Sequence, residues 1–289
     1  MKAETPDIDT LVTQALHEDM PDGRDVTTDF LFSGRETAEG VILAKGAGIL
    51  AGTKPACRVF QLLDSRVELR VTKKDGERIR PDDEVMRVRG NLSAILRGER
   101  TALNFLCHLS GIASLTAQFV EAVRGYSVSI LCTRKTTPGQ RMLEVEAVRS
   151  GGGNCYRTSL SQAVLIKDNH LVALGGMKEL ARTLEESKQK SPEAHRNILD
   201  QGKLEVTSVD ELEEGMSFGF KHFLLDNFSV SEVKRAVQVT VPGIFLEVSG
   251  GVSLKNVRDY AQTGVQAISI GALTHSAPIV DLSLEIVGR

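Results

Sequence analysis

Between residues 128 and 270 short apolar runs alternate with longer amphipathic ones, and this alternation constrains the fold more than any other feature of the chain. Runs near 128–131, 163–167, 203–206, 222–225, 244–248 and 267–270 have strand length. Segments near 140–150, 176–190, 209–217, 230–238 and 254–262 carry helical spacing. Strands alternating with helices predict a parallel sheet wrapped in helices, here closed rather than open. In such a barrel the chemistry sits at the C-terminal ends of the strands.

Those ends are rich in cations. Cys132-Thr-Arg-Lys-Thr-Thr-Pro-Gly139 follows the first run and brings Arg134 and Lys135. The glycine run Gly151-Gly-Gly153 leads into Asn154-Cys-Tyr-Arg-Thr-Ser-Leu160, with Arg157. Val164-Leu-Ile-Lys-Asp-Asn-His170 places Lys167 at the end of the second run. Cations converging on one rim imply a ligand with several negative charges.

Ahead of the barrel the pattern changes. Asp7 to Glu18 reads as a short helix with a possible cap at Asp7, and Thr53 to Leu63 as another. Val41 to Ala44, Val67 to Val71 and Glu84 to Arg89 read as strands of an antiparallel sheet. Leu92 to Leu109 and Ile112 to Arg124 read as two helices separated at Ser110-Gly111, and the polar stretch Lys188 to Asn197 as a surface loop.

The TRKTTPG run, the triple glycine and the LIKDNH run resemble quinolinate phosphoribosyltransferase, also called nicotinate-nucleotide pyrophosphorylase (carboxylating). The likeness extends to Glu99-Arg-Thr-Ala-Leu-Asn-Phe-Leu106, Leu224-Leu-Asp-Asn-Phe228, Glu247-Val-Ser-Gly-Gly251 and Ile270-Gly-Ala-Leu-Thr-His275, so it covers nearly the whole chain. It implies an α/β protein in two parts. An N-terminal open α/β sandwich would span 1–112 and be rejoined by the tail 276–289. An incomplete, seven-stranded α/β barrel would span 113–275. It also implies transfer of a phosphoribosyl group from phosphoribosyl pyrophosphate to quinolinate with decarboxylation, magnesium accompanying the donor, and a homodimer or dimer-based assembly with shared sites.

Residue by residue, the resemblance assigns Arg134, Thr136, Tyr156, Arg157 and Lys167 to substrate anions. An arginine fork suits a planar carboxylate and a lysine acts as a compact charge. Arg100 would reach a partner's site. Lys135, Lys167, Glu205 and Asp226 would be catalytic, and Glu205 and Asp226 would face the ribose or magnesium. Ser249, Gly250, Gly251, Gly271 and Ala272, after the last two strands, would present backbone N–H groups to phosphate. His170 reads as closing the strand-to-helix turn, and His275 is ambiguous.

The chain departs from the family at a few positions. Tyr156 stands where a histidine is usual, Thr207 where a second acid is common and Cys132 where Asp is common, and Thr158-Ser159 is atypical. These bear on the acceptor more than on the reaction class. The alternatives are a paralogue or pyrophosphorylase-like protein using another aromatic acid, a phosphometabolite binder without turnover, and a Schiff-base aldolase using Lys167.

Composition narrows the remaining classes. A net charge of −3 over 289 residues lacks the basic footprint of a nucleic-acid binder. The four cysteines, 57, 107, 132 and 155, form no C-x-x-C pair and suggest neither a zinc site nor a disulfide framework. No apolar run approaches the roughly 18 residues of a membrane span, and a cytoplasmic location is expected.

Overall fold

A computed structural model describes residues 8–288. The expected cap at Asp7 lies outside the described residues. The elements are α1 (Ile8–Asp19), α2 (Val26–Leu31), β1 (Thr37–Ala44), β2 (Gly48–Ile49), α3 (Thr53–Leu63), β3 (Glu68–Val71), β4 (Arg78–Ile79) and β5 (Glu84–Asn91). The long α4 (Leu92–Ala122), β6 (Ser129–Cys132), α5 (Arg141–Ser150), β7 (Asn154–Cys155), β8 (Leu165–Ile166), α6 (Asp168–Leu174), α7 (Met177–Lys190) and α8 (Pro192–Gln201) follow. The chain closes with β9 (Lys203–Val206), α9 (Val209–Ser217), β10 (His222–Asp226), α10 (Val230–Val239), β11 (Phe245–Ser249), α11 (Val257–Ala261), β12 (Ala267–Ile270), α12 (Ala272–His275) and β13 (Leu282–Gly288).

Two compact units result. The first runs to Ala117 and takes in Lys135–Gly153 and the chain from Leu273 onward; the second is Gln118–Arg134 with Asn154–Ala272. The expected boundary at residue 112 falls inside α4.

In the first unit a four-stranded antiparallel sheet has the order β13-β1-β5-β3, so the C-terminal strand pairs with the first. β1 and β5 turn Val41, Ile42, Val85, Met86 and Val88 into a core shared with Val59, Phe60 and Ile95, all buried. Each such side chain contributes roughly 1.5–3 kcal/mol of burial.

One continuous helix replaces the two expected across Ser110-Gly111. Ser110 is satisfied inside it, its Oγ accepting from the Ala51 N–H at 3.0 Å and donating to the Ala51 carbonyl at 3.1 Å. A Cβ on Gly111 would lie 2.0 Å from the Pro278 carbonyl oxygen, so the glycine serves close packing and not a helix break. α4 also corrects the expectation about apolar length: an 18-residue window of it has mean hydropathy 1.3, enough to cross a membrane by length and composition. Its apolar face is a core face, with Ile95, Leu103, Leu106, Leu109 and Ile112 buried.

In the second unit seven parallel strands form one sheet, β7-β6-β12-β11-β10-β9-β8. The strand missing from the sequence pattern is the two-residue β7. Consecutive strands are neighbours throughout, except that β7 and β8 do not pair, so hydrogen bonds leave the barrel open there and not closed as the pattern implied. The interval 188–197 is helical, not a loop: α7 runs to Lys190, and Pro192 occupies the first turn of α8, where its missing N–H costs nothing.

Candidate active site

Three of the expected cations meet in the second unit. Arg134 follows β6, Arg157 follows β7 and Lys167 follows β8, and all three line a cleft of about 340 Å³ with Leu160, Ser161, Ala163 and His170. Parallel strands deliver these residues to one rim. Arg157 is buried, and its Nη1 donates to the Ala163 carbonyl at 2.9 Å. Burial, then the neighbouring Arg134 cation, pushes the Arg157 guanidinium below its usual value. Arg134 has a buried Nε with no hydrogen-bond partner among the described residues. A buried donor left open beside a second cation is a place for an anion's oxygen.

Lys167 is half exposed and pairs with the buried Glu205 at 3.2 Å. The Lys167 N–H donates to His170 Nδ1 at 2.9 Å, so His170 closes the turn from β8 into α6. Asp226 ends β10 two residues beyond Leu224, the residue in register with Glu205, so the two acids occupy successive same-facing levels of the rim. Asp226 Oδ2 accepts from Asn227 Nδ2 at 2.8 Å. No group of three or more His, Cys, Asp or Glu side chains suited to hold a metal occurs among the described residues.

The loops after β10 and β11 lock together. The Asn227 N–H, at a positive φ of 57°, donates to the Ser249 carbonyl at 2.8 Å. A Cβ on Gly250 would meet Asn227 Oδ1 at 2.1 Å, so only glycine allows this approach. Gly251 is exposed and also has positive φ, while Gly271 and Ala272 follow β12.

The remaining expected residues belong to the first unit. Thr274 Oγ1 donates to the Lys135 carbonyl at 2.8 Å, and Arg141 Nε to Thr136 Oγ1 at 3.0 Å. Arg100 is exposed on α4.

Tyr156 is placed differently from an anion ligand. Its hydroxyl donates to the Gln201 carbonyl at 3.1 Å, its ring lies 3.5 Å from Lys203 Nζ, and it does not line the cleft. Thr207 binds Glu211 Oε2 through its N–H at 2.7 Å and its hydroxyl at 2.9 Å, a local role at the start of α9. His275 Nδ1 meets Ser276 Oγ at 2.6 Å.

The sequence reading missed Glu144, Lys203 and Glu247, all buried. The spacing of Lys203 and Glu205, two apart in a strand, is the one local signal that polar groups face the barrel interior.

Residues 25–110 match the family model for the quinolinate phosphoribosyl transferase N-terminal domain, and residues 112–285 the model for its C-terminal domain. The chain is 37% identical over 282 residues to nicotinate-nucleotide pyrophosphorylase (carboxylating) of Mycobacterium leprae, covering 95% of each. It is 40% identical over 256 residues to a probable enzyme of the same name from Archaeoglobus fulgidus, covering 86% of this chain and 94% of the other. Among solved structures it is similar to nicotinate-nucleotide pyrophosphorylase from Ehrlichia chaffeensis (TM-score 0.88, 36% identity, 96% and 97% covered). It is also similar to NadC from Streptococcus pyogenes (TM-score 0.88, 35% identity, 98% and 97% covered).

Proposed function

This chain belongs to the quinolinate phosphoribosyltransferase family, and on that footing we propose that Arg134, Arg157 and Lys167 hold the carboxylates of quinolinate at the barrel rim. The enzyme transfers the phosphoribosyl group of phosphoribosyl pyrophosphate to quinolinate, yielding nicotinate mononucleotide, pyrophosphate and carbon dioxide. The observation that carries the site assignment is the convergence of two arginines and a lysine from three strand ends on one cleft, one arginine with an open buried donor.

The chemistry asks the protein for position and charge. As the bond from the ribose carbon to pyrophosphate breaks, positive charge develops at that carbon, and Glu205 and Asp226 are carboxylates that stabilise it. The pyridine nitrogen attacks the same carbon. The ring is now cationic, so the 2-carboxylate leaves as carbon dioxide and its bonding electrons pass to the ring carbon, which takes up a proton. No side-chain nucleophile is required, and orientation supplies much of the rate. The loops at Ser249–Gly251 and Gly271–Ala272 offer backbone N–H groups to the donor's phosphate, and Lys135 and Thr136 of the family-like Arg-Lys-Thr run are assigned to the substrates.

Magnesium travels with the donor. Two carboxylates at successive rim levels suit an ion held mainly by substrate phosphates. Bound there beside Asp226 and Glu205, it would neutralise the leaving group.

Lys167 beside Glu205 and two arginines sits in an anion cradle, unlike the desolvated apolar pocket that activates a Schiff-base lysine. Arg100, exposed on α4, is assigned to the site of a second copy, so the working unit is a homodimer at least, in the cytoplasm. Mixing Arg100→Ala and Lys167→Ala chains should restore activity that neither has alone.

The decisive assay follows pyrophosphate release with quinolinate, nicotinate and other pyridine or benzene carboxylates, with labelled carbon dioxide in parallel. Matched pyrophosphate and carbon dioxide with quinolinate is the expected result. Release only with another acid overturns the acceptor assignment, and no release with any acid overturns the enzyme reading.

A further inference from the structure

β7 and β8 are each two residues long, and each pairs with one neighbour only: β7 with β6, β8 with β9. Between them the backbone ladder is missing. The segment that leaves β7 carries Arg157 into the cleft, so something other than the ladder must hold it.

Two side chains cross the gap. Arg157 Nη1 reaches the Ala163 carbonyl just ahead of β8 at 2.9 Å. Tyr156 reaches further, its hydroxyl donating to the Gln201 carbonyl ahead of β9 at 3.1 Å. Its ring face lies 3.5 Å from Nζ of Lys203, the first residue of β9. Lys203 is itself held from the far side. The residue is 1% exposed, and its ammonium is ion-paired in the barrel interior with Glu247 of β11. Glu247 also accepts from Ser269 Oγ of β12 at 2.5 Å. A chain of polar contacts thus runs from the end of β7 through β9 and β11 to β12, where the continuous ladder lies. A buried lysine needs its carboxylate, since removing one partner leaves an uncompensated charge. The ring face adds a cation–π contact that is worth most when desolvated.

We infer that Tyr156 and Lys203 are positioning residues, a side-chain clamp that bridges the gap between β7 and β8 and so holds Arg157 in the acceptor cleft. Tyr156 then acts on the acceptor through its neighbour and not by contact, because its hydroxyl is engaged by Gln201 and its ring by Lys203. The effect on substrate rests on the acceptor role proposed for Arg157; the mechanical part does not.

The test pairs hydrogen–deuterium exchange with kinetics on the full chain. Tyr156→Phe keeps the ring and loses the bond to Gln201, Tyr156→Leu loses both, and Lys203→Met with Glu247→Gln removes the ion pair without leaving a lone charge. Tyr156→Leu and the double variant should exchange faster in peptides covering 154–166, with peptides covering α10 (Val230–Val239), which carries none of the substitutions, unchanged. Their KM for quinolinate should rise about tenfold, equivalent to ~1.4 kcal/mol, with KM for phosphoribosyl pyrophosphate unchanged. Parent-like exchange at 154–166 overturns the clamp, and an equal rise in both KM values overturns its specificity for the acceptor side. If Tyr156→Leu does not fold, Tyr156→Phe decides: exchange at 154–166 must still rise by about twofold, and no rise there overturns the clamp. A parent that does not turn over quinolinate defeats the proposed function, while the exchange result still decides the clamp.

Discussion

The carboxylate of Glu144, whose side chain is wholly buried, accepts a hydrogen bond from His108 Nε2 at 3.0 Å. It also takes the Thr137 N–H, at 3.4 and 3.3 Å to its two oxygens. One buried acid in α5 thereby ties α4 to the loop that carries Lys135 and Thr136. Removing the carboxylate takes the acceptor from the part-buried His108 and the exposed Thr137 N–H, and a hydrogen bond to a charged group is worth about 1.5–3 kcal/mol. Glu144→Ala should lower stability by about 2–5 kcal/mol, and Glu144→Gln, which keeps an acceptor oxygen, by less. Urea unfolding of both variants checks this; equal losses would show that packing, not hydrogen bonding, is at stake.

Arg157→Ala and Lys167→Ala should each weaken quinolinate binding by about 1.5–3 kcal/mol, the range for hydrogen bonds to charged groups. In affinity this is roughly tenfold to more than a hundredfold. Calorimetric titration with quinolinate measures it. Parent-like affinity in both would remove the acceptor from this cleft.

Lys203→Met alone leaves Glu247 unpaired in the barrel interior and should cost about 3–5 kcal/mol. Adding Glu247→Gln should recover most of that loss, because the charge left uncompensated is gone. Denaturant midpoints of the single and double variants provide the comparison. A double variant as unstable as the single would mean that the cost lies in lost packing.

His222 supplies a pH dependence. Burial, then the nearby Lys203 cation, pushes the His222 imidazole below its ordinary value of 6.5. As pH falls through that value the unfolded chain takes up a proton that the folded chain still refuses. The unfolded state is therefore favoured, and stability from this group is lost on acidification until the folded imidazole also titrates. Urea midpoints between pH 7.5 and 5 should fall less steeply for His222→Gln than for the parent. Parallel slopes would exclude His222 as the source.

Gly111→Ala sets two effects against each other. Alanine gains about 1 kcal/mol over glycine in a helix interior. Its Cβ would stand 2.0 Å from the Pro278 carbonyl oxygen, a backbone atom that moves only with its whole segment. Overpacking of this kind costs about 1–3 kcal/mol, so the variant should melt below the parent. A higher melting temperature would mean that the 278–280 segment shifts freely.

Much of this molecule is legible in one dimension. The period of apolar residues marks six of the seven barrel strands, and a cation directly after a strand must stand at its rim, whatever surrounds it. Hence Arg134 and Lys167 could be assigned to one end of the barrel before any contact was known, whereas Arg157 could be assigned only through the family resemblance. The rest depends on residues far apart in the chain. β7 is too short for a periodic signal, and the gap beside it follows from pairing, not composition. Ser110-Gly111 looks like a helix break until Ala51 and Pro278 are seen against it. Tyr156 looks like an anion ligand until Gln201, 45 residues on, takes its hydroxyl. Lys203 and Glu247 lie 44 residues apart on different strands, and only the curl of the sheet buries their charges together. Local chemistry determines what a residue offers; the fold determines which neighbour uses it, because desolvation and hydrogen-bond geometry exist only once distant strands have been brought side by side.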